Sequence, residues 1–327
     1  MEVGGCLGDV LSRLDDLEGV VWEPYHKDGP GRPPRNPLGI FKALIVKRIR
    51  SIPSDRELYW RLWSSPKLRE ICDIEDYERP YHPSQLTRFR QRIGPERLEG
   101  IMNSILSKLV DAGVVKGEVI ACDATFVKAY SKRDPHDDSR GCSDPEAGVG
   151  RAGKTYELGY KLHLAVDSAS ELPIAYAVAP ANENEKKHAS RLLEKAVKAV
   201  KGNVKVFVAD SQYSSQRLRR NISSRGVQPV IPYPANQRPK EAEFLRVDKH
   251  FRTHGPERLK SLYRHRASVE RTISRLKQHL NLESHKARGL RNIAIHVLLC
   301  LIAMLLTALT AIKHGKPQQI RAIKRLT

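Results

Sequence analysis

The chain is poor in cysteine and contains no paired cysteine motif. Its five cysteines are an odd number, lie far apart and include no C-x2-C pair: Cys6, Cys72, Cys122, Cys142 and Cys300. This distribution argues against a disulfide framework and against a cysteine-based zinc site, and it predicts reduced intracellular thiols. The sequence also has no internal repeat and no sustained heptad pattern, which argues against a solenoid or a long coiled coil.

Acidic residues are the second deficit. The chain of 327 residues has 37 Asp and Glu against 57 Lys and Arg, so its formal net charge is +20. A positive field of this size attracts polyanions and is hard to reconcile with an enzyme of small neutral metabolites. The expected partner is therefore DNA or RNA, with an anionic membrane as the second choice.

Long apolar runs are absent except for one. The polar, mixed-charge first residues do not resemble a signal peptide. The exception is the run from Ile293 to Ile312, which is long enough to span a bilayer. His296 interrupts it, and basic segments on both sides leave no charge asymmetry to orient it. We expect a helix buried in a core, with a tail anchor as the alternative.

Residues 1–112 are predicted to form a basic, mostly helical domain. After the turn DGPGRPPRNP, the segment FKALIVKRIRSI has apolar residues at helical spacing. Ser54 and Glu57 form a capping box ahead of a second helix, in which Trp60 and Trp63 are expected to be core residues. The next helix, QLTRFRQRIG, carries Arg88, Arg90 and Arg92. This order resembles a DNA-binding helix-turn-helix, whereas a small helical packing domain with solvated arginines is the alternative.

From about Lys116 the apolar pattern becomes that of short strands. The predicted strands are GEVIACDATFVKAY, YKLHLAVDS, LPIAYAVAP, VKVFVAD and VQPVIPY. The first three follow one another directly, and helices separate the later ones. This order predicts an α/β domain with a mixed sheet over residues 113–315, and it resembles the RNase H-like fold. Polar segments near 131–158 and 233–258 are expected to be loop insertions, and 316–327 a basic tail.

Two aspartates stand on these predicted strands. Asp123 lies within the first strand and Asp210 ends the fourth. An isolated carboxylate on a strand is costly unless it is paired or binds a metal, although each aspartate alone also fits a strand-end cap. The first and fourth strands are neighbours in an RNase H-like sheet, so we expect the two carboxylates to converge. With a third carboxylate, Glu270, they would suit Mg2+ or Mn2+, as two ions acting on a phosphodiester.

The third carboxylate belongs to a patterned segment, SLYRHRASVERTISRLKQHL, which is predicted to be one helix. It contains the pattern Y-x2-R-x3-E-x6-K, formed by Tyr263, Arg266, Glu270 and Lys277. At roughly 100° of rotation per residue these four side chains point within roughly 60° of one another. Such a face can hold a metal and neighbouring phosphates, whereas a solvated helix surface is the alternative.

Together these motifs resemble the DDE transposases of bacterial and archaeal insertion sequences, in the group with the Tyr-Arg-Glu-Lys signature. The likeness covers nearly the whole chain. It is carried by GRPPRNPLGIFKALIVKRI, SDRELYWRL and SQLTRFRQRIG in the N-terminal part, and by GYKLHLAVD, LPIAYAVAPAN, VFVADSQYSS and the signature helix in the catalytic part. The resemblance implies Asp123, Asp210 and Glu270 as catalytic triad and metal ligands, and Tyr263, Arg266 and Lys277 as contacts to the transposon end.

The implied activity is metal-dependent excision and insertion of the protein's own element by strand cleavage and strand transfer. DNA is then the partner, both at the element ends and at the target, and a homodimer on DNA is expected. The expected location is the nucleoid in the cytoplasm of a prokaryotic cell, without a membrane. The alternatives are an RNase H-like nuclease without strand transfer and a non-catalytic DNA-binding regulator derived from a transposase.

One motif points elsewhere. Gly148 to Thr155 reads GVGRAGKT, which matches the phosphate-binding pattern G-x4-G-K-[ST]. That loop requires a buried strand before it and a helix after it, whereas here a polar stretch precedes it and an alternating strand follows. We therefore expect no nucleotide cofactor, and the resemblance implies that Lys154 is an ordinary basic residue.

Overall fold

The computed structural model describes residues 3–17, 35–234 and 257–326. Contacts divide the chain into two compact units. A helical unit comprises Met1–Lys108, Arg275–Ala287 and Arg291–Thr327, and a sheet unit comprises Leu109–Ser274 and Arg288–Leu290. Contacts thus group residues 291–315 with the N-terminal region, whereas the sequence analysis assigned them to the 113–315 domain.

The helical unit begins with five helices. They are α1 Val3–Ser12, α2 Pro37–Ile49, α3 Asp55–Ser64, α4 Pro66–Ile71 and α5 Pro83–Asp111, of which α5 extends into the sheet unit. The Ser54 hydroxyl accepts the Glu57 N–H at 3.0 Å, which confirms the predicted start of α3. The helix predicted to follow is divided in two, because Ser65 caps α4 and Pro66 opens it. Gly94, with φ 66°, breaks α5 where QLTRFRQRIG ends.

The prediction that Trp60 and Trp63 are core residues was wrong. Their side chains are 57% and 50% exposed. Helix α3 instead buries Leu58 and Leu62, which lie four residues apart on its other face. The turn DGPGRPPRNP lies mostly outside the described residues.

The described part of the sheet unit contains eight strands and four further helices. The strands are β1 Val119–Lys128, β2 Arg133–Asp134, β3 Asp137–Gly141, β4 Gly148–Ala152, β5 Thr155–Asp167, β6 Leu172–Pro180, β7 Val206–Ala209 and β8 Gln228–Val230. The helices are α6 Lys186–Ala199, α7 Gln216–Ser223, α8 Glu257–Arg264 and α9 Ala267–His279, whose last turns enter the helical unit.

The central strands follow the order β6-β5-β1-β7-β8. Strand β5 is antiparallel to both β1 and β6, whereas β7 is parallel to both β1 and β8. The five predicted strands, the mixed sheet and the RNase H-like fold class are thereby confirmed. Buried apolar residues of β1, β5, β6 and β7 form the core of this unit.

Residues 131–158, predicted to be a loop, contain β2, β3 and β4 as well as the start of β5. That prediction was wrong, because these strands pair through their backbones while most of their polar side chains are exposed, so no apolar period marks them. The buried carboxylate of Asp144 accepts the Tyr160 hydroxyl at 2.6 Å and the Gly289 N–H at 3.0 Å. Most of the second expected insertion, near 233–258, lies outside the described residues.

The GVGRAGKT segment forms a β-hairpin between β4 and β5. Ala152 pairs with Thr155, and Gly153 has φ +66°, a conformation that glycine adopts without strain. The alternating strand predicted after the motif is confirmed, and it stands where a phosphate-binding loop would need a helix.

The apolar C-terminal run forms helix α10, Leu290–Lys313. Within the described residues it is long and apolar enough to cross a membrane by length and composition, yet 94% of its most apolar stretch is buried. His296 Nε2 lies 2.8 Å from the Leu282 carbonyl oxygen, and the Cys300 thiol donates to the Leu280 carbonyl at 3.2 Å. The prediction of a buried core helix is confirmed, and these bonds join α10 to Leu280 and Leu282, which also belong to the helical unit.

Candidate active site

Asp123 lies on β1, and Asp210 directly follows the neighbouring strand β7. The register pairs Cys122 of β1 with Ala209 of the parallel strand β7. The residue that follows each of them in the chain is one of the two aspartates. Adjacent strands lie about 4.8 Å apart, so the two aspartates are close neighbours across the two strands. The Asp210 carboxylate also accepts the N–H of Gln212 at 3.0 Å. The predicted adjacency of the first and fourth strands is confirmed.

The signature segment is not the single helix that the sequence predicted. Helix α8 ends at Arg264 and α9 begins at Ala267. Across the break, the Arg266 N–H bonds to the Tyr263 carbonyl and the Val269 N–H bonds to the Arg266 carbonyl, which is the tighter i to i+3 pattern. Tertiary contacts explain this turn, because the side chains of His265 and Arg266 are both hydrogen-bonded to distant parts of the sheet unit.

One of those side chains joins two carboxylates. Arg266 donates from Nη1 to Asp123 Oδ2 at 2.9 Å and from Nη2 to Oε1 of Glu270, which lies in the first turn of α9. The other Asp123 oxygen, Oδ1, accepts the Ala124 N–H at 2.8 Å. The Asp123 side chain is 19% exposed and that of Glu270 is 50% exposed. The site is therefore closed on the strand side and open on the helix side.

The electrostatics of the site follow from this crowding. The pKa of the Asp123 carboxyl is raised to about 6, first because the group is buried and further because of the charges of Asp210 and Glu270. The Ala124 N–H and Arg266 act in the opposite direction. Burial alone would lower the pKa of Arg266, but the nearby carboxylates raise it above its usual value. The charges of the other two carboxylates therefore act on Asp123, and Arg266 bonds to Asp123 and Glu270.

The other signature residues differ in their surroundings. The Arg266 guanidinium carbon lies 6.0 Å from the centroid of the Tyr263 ring, so this phenol lies near the arginine that bonds to the carboxylates. Lys277, seven residues after Glu270 on α9, forms an ion pair with Glu283 at 2.6 Å. The structure thus brings together Tyr263, Arg266 and Glu270, and it gives Lys277 a partner of its own.

The three arginines of the N-terminal helix also differ. Arg88 and Arg92 are exposed, and Arg88 Nη2 is 3.5 Å from the Ser84 hydroxyl. Arg90 instead forms a bidentate ion pair with Asp55 and also donates to the Thr87 hydroxyl at 3.1 Å. Arg90 therefore has a structural role within the helical unit.

Sequence reasoning missed a polar cluster that includes Gln212, two residues after Asp210. Lys161 Nζ lies 3.0 Å from Oε1 of Glu185, a carboxylate that is only 7% exposed. Burial raises the pKa of Glu185, and the charge of Asp210 raises it further. The side-chain amide of Gln212, with its nitrogen as donor, lies 2.9 Å from both Glu185 oxygens. The signal in the sequence was the charged side chain of Lys161 between the apolar residues Tyr160 and Leu162.

The donor set of the triad fits a hard divalent cation, because it consists of carboxylate oxygens only. Within the described ranges, however, no three Asp, Glu, His or Cys side chains are arranged so that they could hold an ion as they stand. At these carboxylates, the guanidinium of Arg266 bonds to both Asp123 and Glu270. The chemistry of the residues therefore fits a metal, and two of the three carboxylates are bonded to Arg266.

Two family models match the chain. Residues 115–306 match the Transposase DDE domain, and residues 8–92 match the Transposase domain (DUF772). The first match covers more than half of the chain, so the protein belongs to the DDE-domain transposases. It is an enzyme of DNA transposition, and its chemistry depends on a metal ion.

Among proteins of curated function, no match to the chain is found. Among solved structures, the chain is similar to piggyBac transposase in a synaptic complex with hairpin DNA, at 12% identity over 100% of this chain and 78% of that chain, with a TM-score of 0.46. It is also similar to Mos1 transposase in a paired-end complex with the left transposon end, at 13% identity over 96% of this chain and 84% of that chain, with a TM-score of 0.24. Family membership rests on the two family models.

Proposed function

We propose that the chain is a transposase of the Tyr-Arg-Glu-Lys group, which cuts its own insertion sequence out of DNA and joins it to a target. Its acidic triad is Asp123, Asp210 and Glu270. The observation that supports this is that Asp123 on β1 lies beside Asp210, which directly follows β7, and is joined through Arg266 to the α9 glutamate. Crowded carboxylates with a perturbed pKa are typical of functional sites.

The proposed cofactor is Mg2+ or Mn2+, held as two ions by the triad. When bound, such ions make a water or a 3′-hydroxyl a better nucleophile and stabilise the leaving oxygen. The residues of the chain supply the positions. The β1 backbone and the Ala124 N–H orient Asp123, and the Gln212 N–H orients Asp210. Glu270 is half exposed, so it can meet substrate and metal from the solvent side.

The proposed substrate is DNA, at the element ends and at the target. Tyr263, Arg266 and Lys277 are the proposed contacts near the reacting phosphate, and Arg88, Arg90 and Arg92 are those of the N-terminal domain. The net charge of +20 supports a polyanionic partner. We further propose that a homodimer assembles on DNA, at the nucleoid in the cytoplasm of a prokaryotic cell, without a membrane or a nucleotide cofactor.

The test uses a plasmid that carries the gene's native flanking DNA. Purified protein is incubated with it in Mg2+ or Mn2+, and breaks and new junctions are sequenced. Asp210→Asn is the inactive variant. Asp138→Asn is the matched control, because Asp138 lies in the same unit but is 77% exposed on β3 and pairs with Arg133.

Cuts at inverted flanking repeats with joined products are expected for the wild type and for Asp138→Asn, and neither for Asp210→Asn. Hydrolysis without joined products would point to a nuclease. Metal-independent DNA binding without any cutting would point to a regulator. Undiminished cutting by Asp210→Asn would refute the proposed triad.

A further inference from the structure

Arg266 fills the space between two carboxylates of the proposed triad. Its two terminal nitrogens go to different partners, Nη1 to Asp123 and Nη2 to Glu270. The two acidic residues come from different elements, β1 and α9. One monovalent cation therefore bonds to two carboxylates from different elements.

This arrangement competes with a metal ion. Asp123 has one oxygen engaged by the Ala124 N–H and the other by Arg266. An ion that bound both Asp123 and Glu270 would need the place that the guanidinium fills. A guanidinium cannot be neutralised by losing a proton in a protein, so it must move before a divalent ion binds both groups.

A DNA phosphate can bind the displaced Arg266 side chain. Arginine forms bidentate bonds with phosphates as readily as with carboxylates. Only 24% of the Arg266 side chain is exposed, but Glu270 beside it is half exposed, so the carboxylate pair opens to solvent on the helix side. A backbone phosphate that approaches from this side would meet Arg266 next to the carboxylates.

We propose that Arg266 is the resident counter-ion of the triad in the free protein, and that divalent metal and a DNA phosphate displace it together. This inference rests on the proposed function. Metal binding is then weak without DNA and stronger with it, because DNA gives Arg266 a second anionic partner. By linkage, metal strengthens DNA binding by the same factor. When DNA is absent, Arg266 thus neutralises part of the negative charge of the proposed metal site.

The experiment measures the Mn2+ affinity of the metal-free, full-length protein by calorimetry. Arg266→Met keeps much of the side-chain length and removes the charge. Arg271→Met is the matched control, because Arg271 lies on α9, the helix that directly follows Arg266, and pairs with Glu171 through Nε at 2.8 Å and Nη2 at 2.7 Å. Arg266→Lys keeps the charge but cannot bridge two carboxylates, and it serves if the Met variant does not fold.

Without DNA, Arg266→Met is expected to bind Mn2+ about tenfold more tightly than the wild type, a coupling of ordinary size. Arg271→Met should match the wild type, and Arg266→Lys should lie between the two. A linear duplex of the gene's native flanking DNA should tighten Mn2+ binding to the wild type and leave that of Arg266→Met unchanged.

Two negative results have different meanings. If Asp123→Asn abolishes Mn2+ binding while Arg266→Met and Arg266→Lys bind as the wild type does, the counter-ion role is refuted and the metal site stands. If Asp123→Asn binds Mn2+ as the wild type does, the proposed metal site fails, and the inference built on it fails as well.

Discussion

Arg90 donates both terminal nitrogens of its guanidinium to the carboxylate of Asp55, at 3.3 and 2.5 Å. Lys47 joins the same carboxylate at 2.6 Å. The three residues come from α5, α3 and α2, so one acidic group links three helices of the helical unit. An arginine predicted from the sequence to contact DNA is therefore also part of the packing of its own domain.

Replacing Arg90 should destabilise the protein. Arg90→Ala leaves Asp55, a carboxylate whose side chain is 17% exposed, with one cation fewer, and we expect the free energy of unfolding to fall by about 2 kcal/mol. Arg88→Ala is the matched control on the same helix, and it should change that free energy by less than about 0.5 kcal/mol. Denaturant unfolding measures both, and equal stability of the two variants would contradict the structural role of Arg90.

The same ion pairs predict an acid-sensitive contribution to stability. Burial tends to raise the pKa of Asp55, but Arg90 and Lys47 lower it to about 2. Because the pKa is lower in the folded state, the contribution is complete above the unfolded pKa of about 3.9 and is lost as pH falls towards 2. Asp55→Asn should therefore cost about 2 kcal/mol at pH 6 and clearly less at pH 3. A difference that does not change with pH would rule this out.

Asp123 should show the opposite sign in metal-free protein. Its pKa of about 6 lies above the unfolded value, so the folded state binds the proton more tightly and stability falls as pH rises from about 4 to 6. With EDTA at pH 8, Asp123→Asn should raise the free energy of unfolding by about 1–2 kcal/mol, and at pH 4 it should not. Strand cleavage should be lost in the same variant.

Thermal or denaturant unfolding across this pH range, with Asp138→Asn as an exposed control, measures the effect. If Asp123→Asn is less stable than the wild type at pH 8, Asp123 contributes to structure more than to function.

The exposed tryptophans should contribute little to folding. Trp60→Ser and Trp63→Ser are each expected to change the free energy of unfolding by less than about 1 kcal/mol, since at least half of each side chain is exposed. Leu62→Ala, on the buried face of the same helix, should cost about 2–5 kcal/mol. Urea unfolding compares the three variants, and a large loss for either tryptophan would show that α3 packs on the opposite face.

Several features followed from local pattern alone. The alternation of apolar residues identified β1, β5, β6, β7 and β8, and the uniformly apolar run identified α10. The excess of basic residues indicated a polyanionic partner. The strand order of the RNase H-like fold then predicted that Asp123 and Asp210 are neighbours, because that fold places the first and fourth strands side by side.

Other features depend on groups that are distant in sequence. The segment 131–158 forms strands because β5 offers a free edge to pair with, although its polar side chains leave no period to detect. Arg90 turns towards Asp55, 35 residues earlier, and α3 buries its leucines instead of its tryptophans. The signature helix breaks at Arg266, where the side chain reaches Asp123 on β1.

Local pattern was enough to predict the α/β order of the sheet unit, the buried C-terminal helix and the residue types of the carboxylate site. These depend on periodicity and composition, which are properties of neighbouring residues. The identity of the cation among those carboxylates could be read only from the folded chain, because it depends on which side chains meet when β1 and the turn before α9 come together.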